Sequence, residues 1–210
     1  YDGDGDLDLL LIRESASRLY RNDGGIFTNS GVGLPGLLNA DAAWGDYDND
    51  GDLDFVVAGA TLVMPYPFDP TTVRYGDTRL YRNDGGSFTR VTESLADLYD
   101  GSVAWGDYDN DGDLDLLLTG TRRLSVNQAT PETYLYRNDG GTFVDRSTMR
   151  DVYRSEGEWA DVDGDGDLDV LLTGSSLAGS QTLVYRNDGG SFVERPAGLL
   201  RVSDSALAAG

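Results

Sequence analysis

Two kinds of stretch alternate along the chain. One is a short apolar run, such as the leucines of "LDLLLTG" (114–120), too brief for a helix and closed by glycine. The other is a looser alternation of apolar and polar positions, as in "TYLYRND" (133–139) and "GTFVDRST" (141–148). Between those two, Asn-Asp-Gly-Gly is a hairpin signal, because glycine supplies the positive φ that a tight turn needs. A further short segment, "SVAWGD" (102–107), precedes the apolar run. The pattern therefore predicts four antiparallel strands, A to D.

The pattern repeats. "GDYDNDGDLDFVVAG" (45–59), "GDYDNDGDLDLLLTG" (106–120) and "ADVDGDGDLDVLLTG" (160–174) are copies of one motif, and "YDGDGDLDLLLI" (1–12) is a clipped fourth. "LYRNDGG" at 19–25, 80–86 and 135–141, with "VYRNDGG" at 184–190, keeps step with it. The acidic motif returns after 46, 61 and 54 residues and the turn motif after 61, 55 and 49. Units of roughly 40–50 residues with four strands each predict an all-β fold, a β-propeller of four-stranded antiparallel blades.

The whole of 1–210 reads as one propeller domain or a propeller segment, with units near 1–38, 39–98, 99–153 and 154–200. "SDSALAAG" (203–210) resembles "NADAAWG" (39–45), so 201–210 is expected to complete the blade begun at residue 1, which is then split between the termini. Such termini could close a ring, join one molecule to the next, or mark a window cut from a longer propeller. Residue 1 is Tyr and not Met, so the chain reads as processed, excised or truncated.

Parity of the strands separates two faces. A–B and C–D connections emerge on one face, which puts the acidic loops beside the Gly-Gly turns. B–C connections emerge on the other: "RESAS" (13–17), "ATLVMPYPFDPTTVRYGDT" (60–78) and "TRRLSVNQATPET" (121–133). Met64, Tyr66, Phe68 and Tyr75 occur in only one unit and form a candidate contact patch for a protein or glycan, since aromatic residues are enriched at interfaces. Trp44, Trp105 and Trp159 recur just before the acidic loop, as blade-packing residues would. Arg21, Arg82, Arg137 and Arg186 recur before Asn-Asp and are expected to pair with loop carboxylates.

Charge changes the picture. Formal net charge is −21, from 37 acidic and 16 basic residues, with no histidine and no cysteine. An excess of this size repels nucleic-acid phosphates and anionic lipid, so neither is an expected partner. No apolar run approaches the ~20 residues that span a bilayer, so no membrane insertion is expected. With no lysine either, the chain lacks an imidazole base, a thiolate nucleophile and a Schiff-base amine. Glu132 and Glu156 carry no catalytic motif, and the chain is expected not to be an enzyme.

The aspartates have a pattern of their own. In the loop 107–115, Asp107, Asp109 and Asp111 stand at positions one, three and five, Gly112 at six, Asp113 at seven and Asp115 at nine. Alternate carboxylates converge on one point if the backbone curls, and glycine at six permits the curl. Hard oxygen donors in this number suit Ca²⁺; Mg²⁺ demands stricter octahedral geometry, and Zn²⁺ prefers His or Cys. An EF-hand is excluded, because its twelfth position needs a bidentate Glu and here holds Val57, Leu118 or Leu172. The loop leads straight into a strand.

"WGDYDNDGDLDLLLTG" together with "LYRNDGGSF" resembles the FG-GAP/VCBS-type calcium-binding repeat, related to the blades of the integrin α-subunit propeller. The resemblance implies Ca²⁺ in the A–B loop of each blade, an extracellular or cell-surface setting, and a binding or adhesion role. It implies side-chain ligands at Asp46, Asp48, Asp50 and Asp54; at Asp107, Asp109, Asp111 and Asp115; and at Asp161, Asp163, Asp165 and Asp169. Backbone carbonyls of Asp52, Asp113 and Asp167 would complete three sites. In the clipped copy Asp2, Asp4, Asp8 and the carbonyl of Asp6 match, but the leading aspartate is missing. The other roles compatible with the family are a structural subunit assembling head to tail through its split blade, and a part of a secreted polysaccharide-degrading enzyme.

Overall fold

A computed structural model describes residues 1–63, 73–92, 94–125 and 128–207. Every regular element among them is a β-strand, so no helix is long and apolar enough to cross a membrane. The strands form four antiparallel sheets, the blades of a β-propeller, in chain order. The first holds β1 (Leu9–Leu11), β2 (Arg18–Asp23) and β3 (Ile26–Asn29). The second holds β4 (Leu38–Gly45), β5 (Asp54–Val63), β6 (Val73–Asp84) and β7 (Ser87–Val91). The third holds β8 (Val103–Gly106), β9 (Asp115–Ser125), β10 (Gln128–Asp139) and β11 (Thr142–Asp145). The fourth holds β12 (Tyr153–Ala160), β13 (Asp169–Ser176), β14 (Gly179–Asp188) and β15 (Ser191–Arg195).

The apolar runs become the second strands, and packing explains why they do not alternate. The second and third blades are covered on both faces by their neighbours, so both faces of their second strands are buried, whereas Leu9 and Leu11 in the first blade stay exposed. Phe55 and Val57 pack with Leu19 and Leu37 on the side of the first blade. Val56 and Ala58 face the other way, joining Leu98, Leu116 and Leu118 between the second and third blades. Leu117 turns from that cluster to meet Val152, Val170 and Leu172 between the third and fourth.

The tryptophans fasten each blade to the one before it. A Cβ added to Gly45 would lie 2.8 Å from the Trp105 ring, and one added to Gly106 would lie 2.7 Å from the Trp159 ring. Glycine there lets the indole lie flat on the preceding inner strand. The indole N–H groups of Trp105 and Trp159 then donate to the carbonyls of Ala43 (3.2 Å) and Ala104 (3.3 Å).

Two connections differ from expectation. The stretches 60–78 and 121–133 are not loops throughout but extend the B–C hairpins: Ala60 pairs with Gly76, Val63 with Val73, and Thr121 with Pro131. Their β-branched residues continue the ladder beyond the core. Tyr75 lies in this extension and is 49% exposed, whereas Met64, Tyr66 and Phe68 lie outside the described residues.

The described part of the C-terminal segment does not pair with β1, whose sheet has three strands. It lies instead along the fourth blade. Val202 bridges Gln181, and its carbonyl accepts from Gly174 N–H at 3.2 Å. Val152 does the same for Gly120 at 3.2 Å, so each lead-in to an inner strand is anchored on the preceding blade. Asn39, Asp100, Arg154 and Asp204, with φ of 46°, 60°, 47° and 51°, mark the turn into each such strand. They are linked N–H to carbonyl in sequence, Asp100 to Asn39, Arg154 to Asp100 and Asp204 to Arg154. Residues 208–210 lie outside the described residues.

Candidate metal centre

The second, third and fourth acidic loops each start where an inner strand ends and stop at the first residue of strand B. The first-position carboxylate folds the loop around itself. Asp107 Oδ1 accepts from Asp111 N–H (3.1 Å) and Oδ2 from Gly112 N–H (3.0 Å). Asp46 does the same for Asp50 (3.1 Å) and Gly51 (3.0 Å), and Asp161 for Asp165 (3.1 Å) and Gly166 (3.1 Å). Gly51, Gly112 and Gly166 all sit at φ 95°, a conformation closed to side chains, which is why position six is glycine.

The ninth-position carboxylates, fully buried in three loops, tie the loop to strand C. Asp115 accepts from Tyr108 N–H (3.0 Å) through one oxygen and from Asn138 N–H (2.8 Å) through the other. Asp54 holds Tyr47 and Asn83, and Asp169 holds Val162 and Asn187, in the same way. The seventh-position side chains clamp the Gly-Gly turn: Asp52, Asp113 and Asp167 accept from the N–H groups of Gly85 (2.6 Å), Gly140 (2.8 Å) and Gly189 (3.0 Å). The acidic loops and the turns do share one face.

These bonds bring carboxylate oxygens of Asp46, Asp48 and Asp50 within 4.8 Å of one another, and likewise those of Asp107, Asp109 and Asp115 and of Asp161, Asp163 and Asp169. Each group is a set of hard oxygen donors able to hold a metal ion. Asp54, Asp111 and Asp165 stand beside their groups without joining them, and no such group forms from Asp2, Asp4, Asp6 and Asp8 among the described residues.

Two of the donor sets include a buried oxygen that no protein group satisfies. Asp48 Oδ1 and Asp109 Oδ1 are buried acceptors with no hydrogen-bond partner. Burying such an oxygen without a donor costs about 1–3 kcal/mol, more when it is charged. The strand-C arginines do not reach these oxygens. Arg137 lies on the rim, 3.2 Å from Asp109 Oδ2, 3.3 Å from Asp111 and 2.7 Å from Asp139. Arg186 spans Asp163 (3.1 Å), Asp165 (3.6 Å) and Asp188 (2.5 Å). Arg21 and Arg82 pair with Asp23 (2.6 Å) and Asp84 (2.8 Å).

Burial and neighbouring carboxylates raise the proton affinity of Asp48, Asp109, Asp54 and Asp115. Desolvation first, and Asp111 next, raise Asp109; desolvation, then Asp50, raise Asp48. Desolvation pushes Asp54 up to about 6 and Asp115 up to about 7, against the two N–H bonds that each accepts. The metal-free fold therefore binds protons that the unfolded chain has released by about pH 4. Its stability falls as pH rises from about 4 through 7. Urea unfolding in a chelator should show a lower midpoint at pH 7.5 than at pH 5, and D115N should shrink the difference. A midpoint that rises over this range would contradict the assignment.

Sequence reasoning missed the inter-blade asparagines. Asn83, Asn138 and Asn187, read as turn residues, are fully buried. Their side-chain amides donate to the loop of the preceding blade, at the carbonyls of Tyr1 (2.8 Å), Tyr47 (2.7 Å) and Tyr108 (2.7 Å). Their recurrence was the available signal, but a turn residue recurs too.

The FG-GAP-like repeat model matches residues 1–57 and 71–118, together half of the chain. No curated protein sequence matches it. The loop at 161–169 repeats the geometry of the matched loops, with the same folding bonds, the same ninth-position tie and the same clamp on the Gly-Gly turn. The chain belongs to the FG-GAP-like repeat family.

Proposed function

We propose that the second, third and fourth loops each hold one Ca²⁺, and that the chain is a non-catalytic, calcium-stabilised propeller that binds a protein or glycan outside the cell. The observation that carries this reading is the pair of buried, partnerless oxygens on Asp48 and Asp109, each inside a group of converging carboxylates. Asp46, Asp48 and Asp50 would hold the second-loop ion, Asp107, Asp109 and Asp115 the third, and Asp161, Asp163 and Asp169 the fourth. Carbonyls at Asp52, Asp113 and Asp167 complete the oxygen set.

The bound dication cancels repulsion among these acids, and its role is structural. The clustered aspartates are committed to metal and the chain has no histidine, cysteine or lysine, which favours a non-catalytic module. Sites of this kind in extracellular modules fill at about 10⁻⁴–10⁻³ M calcium, which favours a secreted or surface-exposed setting. The opposite face, with Tyr75 on its B–C extension, is then the side open to a partner.

Equilibrium dialysis against CaCl₂ should give three ions per chain, and D109N should remove one. Absence of binding at several millimolar CaCl₂ would overturn the proposal.

A further inference from the structure

The three loops are joined to one another by side chains that the ligand pattern does not use. Asn49 stands at position four of the second loop, between Asp48 and Asp50, at φ 58°. Its amide donates to Asp113 Oδ1 (2.8 Å) and to the carbonyl of Gly112 (3.3 Å), both in the third loop. Asn110 repeats the arrangement one blade on, at φ 57°, and donates to Asp167 Oδ1 (2.9 Å) in the fourth loop. The receiving residue is always position seven, whose other oxygen already clamps its own blade's turn.

We propose that Asn49 and Asn110 are positioning residues that couple the three cation sites in series, a proposal that rests on the calcium reading above. An ion in the second loop fixes residues 48 and 50, and thereby the backbone from which the Asn49 side chain projects. A fixed Asn49 holds Gly112 and Asp113, the segment whose carbonyl serves the third ion. Asn110 passes the effect on to Asp167. Ordering one loop thus lowers the cost of ordering the next, and by linkage the effect is equal in the reverse direction.

The molecule supplies its own control. Position four is glycine in the first and fourth loops, Gly3 and Gly164, at φ 74° and 78°. N49G/N110G therefore removes both amides while leaving a residue that this backbone accepts in native loops.

Calorimetric titration of the full chain with CaCl₂ should give a Hill coefficient of about 1.5 or more, falling to about 1 in N49G/N110G with three ions still bound. The N–H resonances of Gly51, Gly112 and Gly166 report the loops singly, since each is bonded to the first aspartate of its own loop. D48N should raise the calcium concentration that half-fills the third loop about fivefold or more. In an N49G background it should leave that concentration unchanged. Equal steepness in the wild type and N49G/N110G, or a Gly112 midpoint indifferent to D48N, would overturn the coupling while leaving calcium binding intact. If none of the three glycines responds to CaCl₂ in the wild type, the calcium reading fails, and the coupling fails with it.

Discussion

If the three loops hold Ca²⁺ as proposed, adding a chelator to the purified protein should lower its thermal midpoint by about 15–30 °C, since three sites at a hundredfold excess over their dissociation constants contribute about 8 kcal/mol and 1 kcal/mol moves a chain of this size by about 2–4 °C. The affinity behind this figure comes from the charges that the ion neutralises, since without it the loops hold like charges close together. Two carboxylates about 4 Å apart repel by about 4 kcal/mol at an effective dielectric near 20. Arg137 and Arg186 relieve some of this from the rim but leave Asp109 Oδ1 without a donor. Differential scanning calorimetry checks the figure. Refilling with CaCl₂ should restore the midpoint, whereas NaCl at matched ionic strength should not, because screening acts weakly on partly buried groups. MgCl₂ should restore less than CaCl₂, as its octahedral shell fits these donors poorly. A midpoint within about 3 °C in chelator and in calcium would leave the loops without a stabilising ion.

How the fold was legible can be followed through single residues. The run 116–118 showed no alternation, and the structure gives the reason: Leu116 and Leu118 face one neighbouring blade and Leu117 the other. Strand number, loop face and the recurrence of tryptophan were therefore readable from local pattern. The curl of the acidic loop was readable too, because Asp107, Gly112 and Asp115 are bonded within nine residues.

Hydrogen bonds of asparagine side chains between blades were not legible. Asn138 reaches Tyr47 across 91 residues and Asn49 reaches Asp113 across 64, and no periodicity of apolar positions records either. In the sequence both asparagines sit beside glycines, where turn chemistry already accounts for them. The ligand sets were legible in outline only. Position nine joins the carboxylate group in the third and fourth loops while also accepting two backbone N–H bonds, whereas position five joins it only in the second and is drawn in the third toward the arginine rim. The C-terminal segment resembles an inner strand in composition, and its described residues dock on the fourth blade as Val152, which leads into an inner strand, docks on the third.

Asn138 offers the sharpest test of how the blades hold together. Its amide donates to Tyr47 C=O (2.7 Å) in the preceding blade and to Leu114 C=O (3.1 Å), while its oxygen accepts from Gly141 N–H (2.7 Å). All of this lies at a fully buried side chain. N138A leaves three backbone groups short of a partner, and at about 1–3 kcal/mol each the expected loss is about 3–5 kcal/mol, measured by urea unfolding in saturating calcium. Asn22 holds the same motif position in the first blade, but its amide reaches only Leu7 and the site is exposed. There water replaces what alanine removes, so N22A should cost about 1 kcal/mol or less. N138D keeps the acceptor for Gly141, loses both donors and sets a negative charge beside Asp115 and two carbonyls. It should be at least as damaging as alanine at pH 7, which a cavity effect alone would not produce. Equal costs for N138A and N22A would mean that the blades are held by their apolar faces and not by this amide.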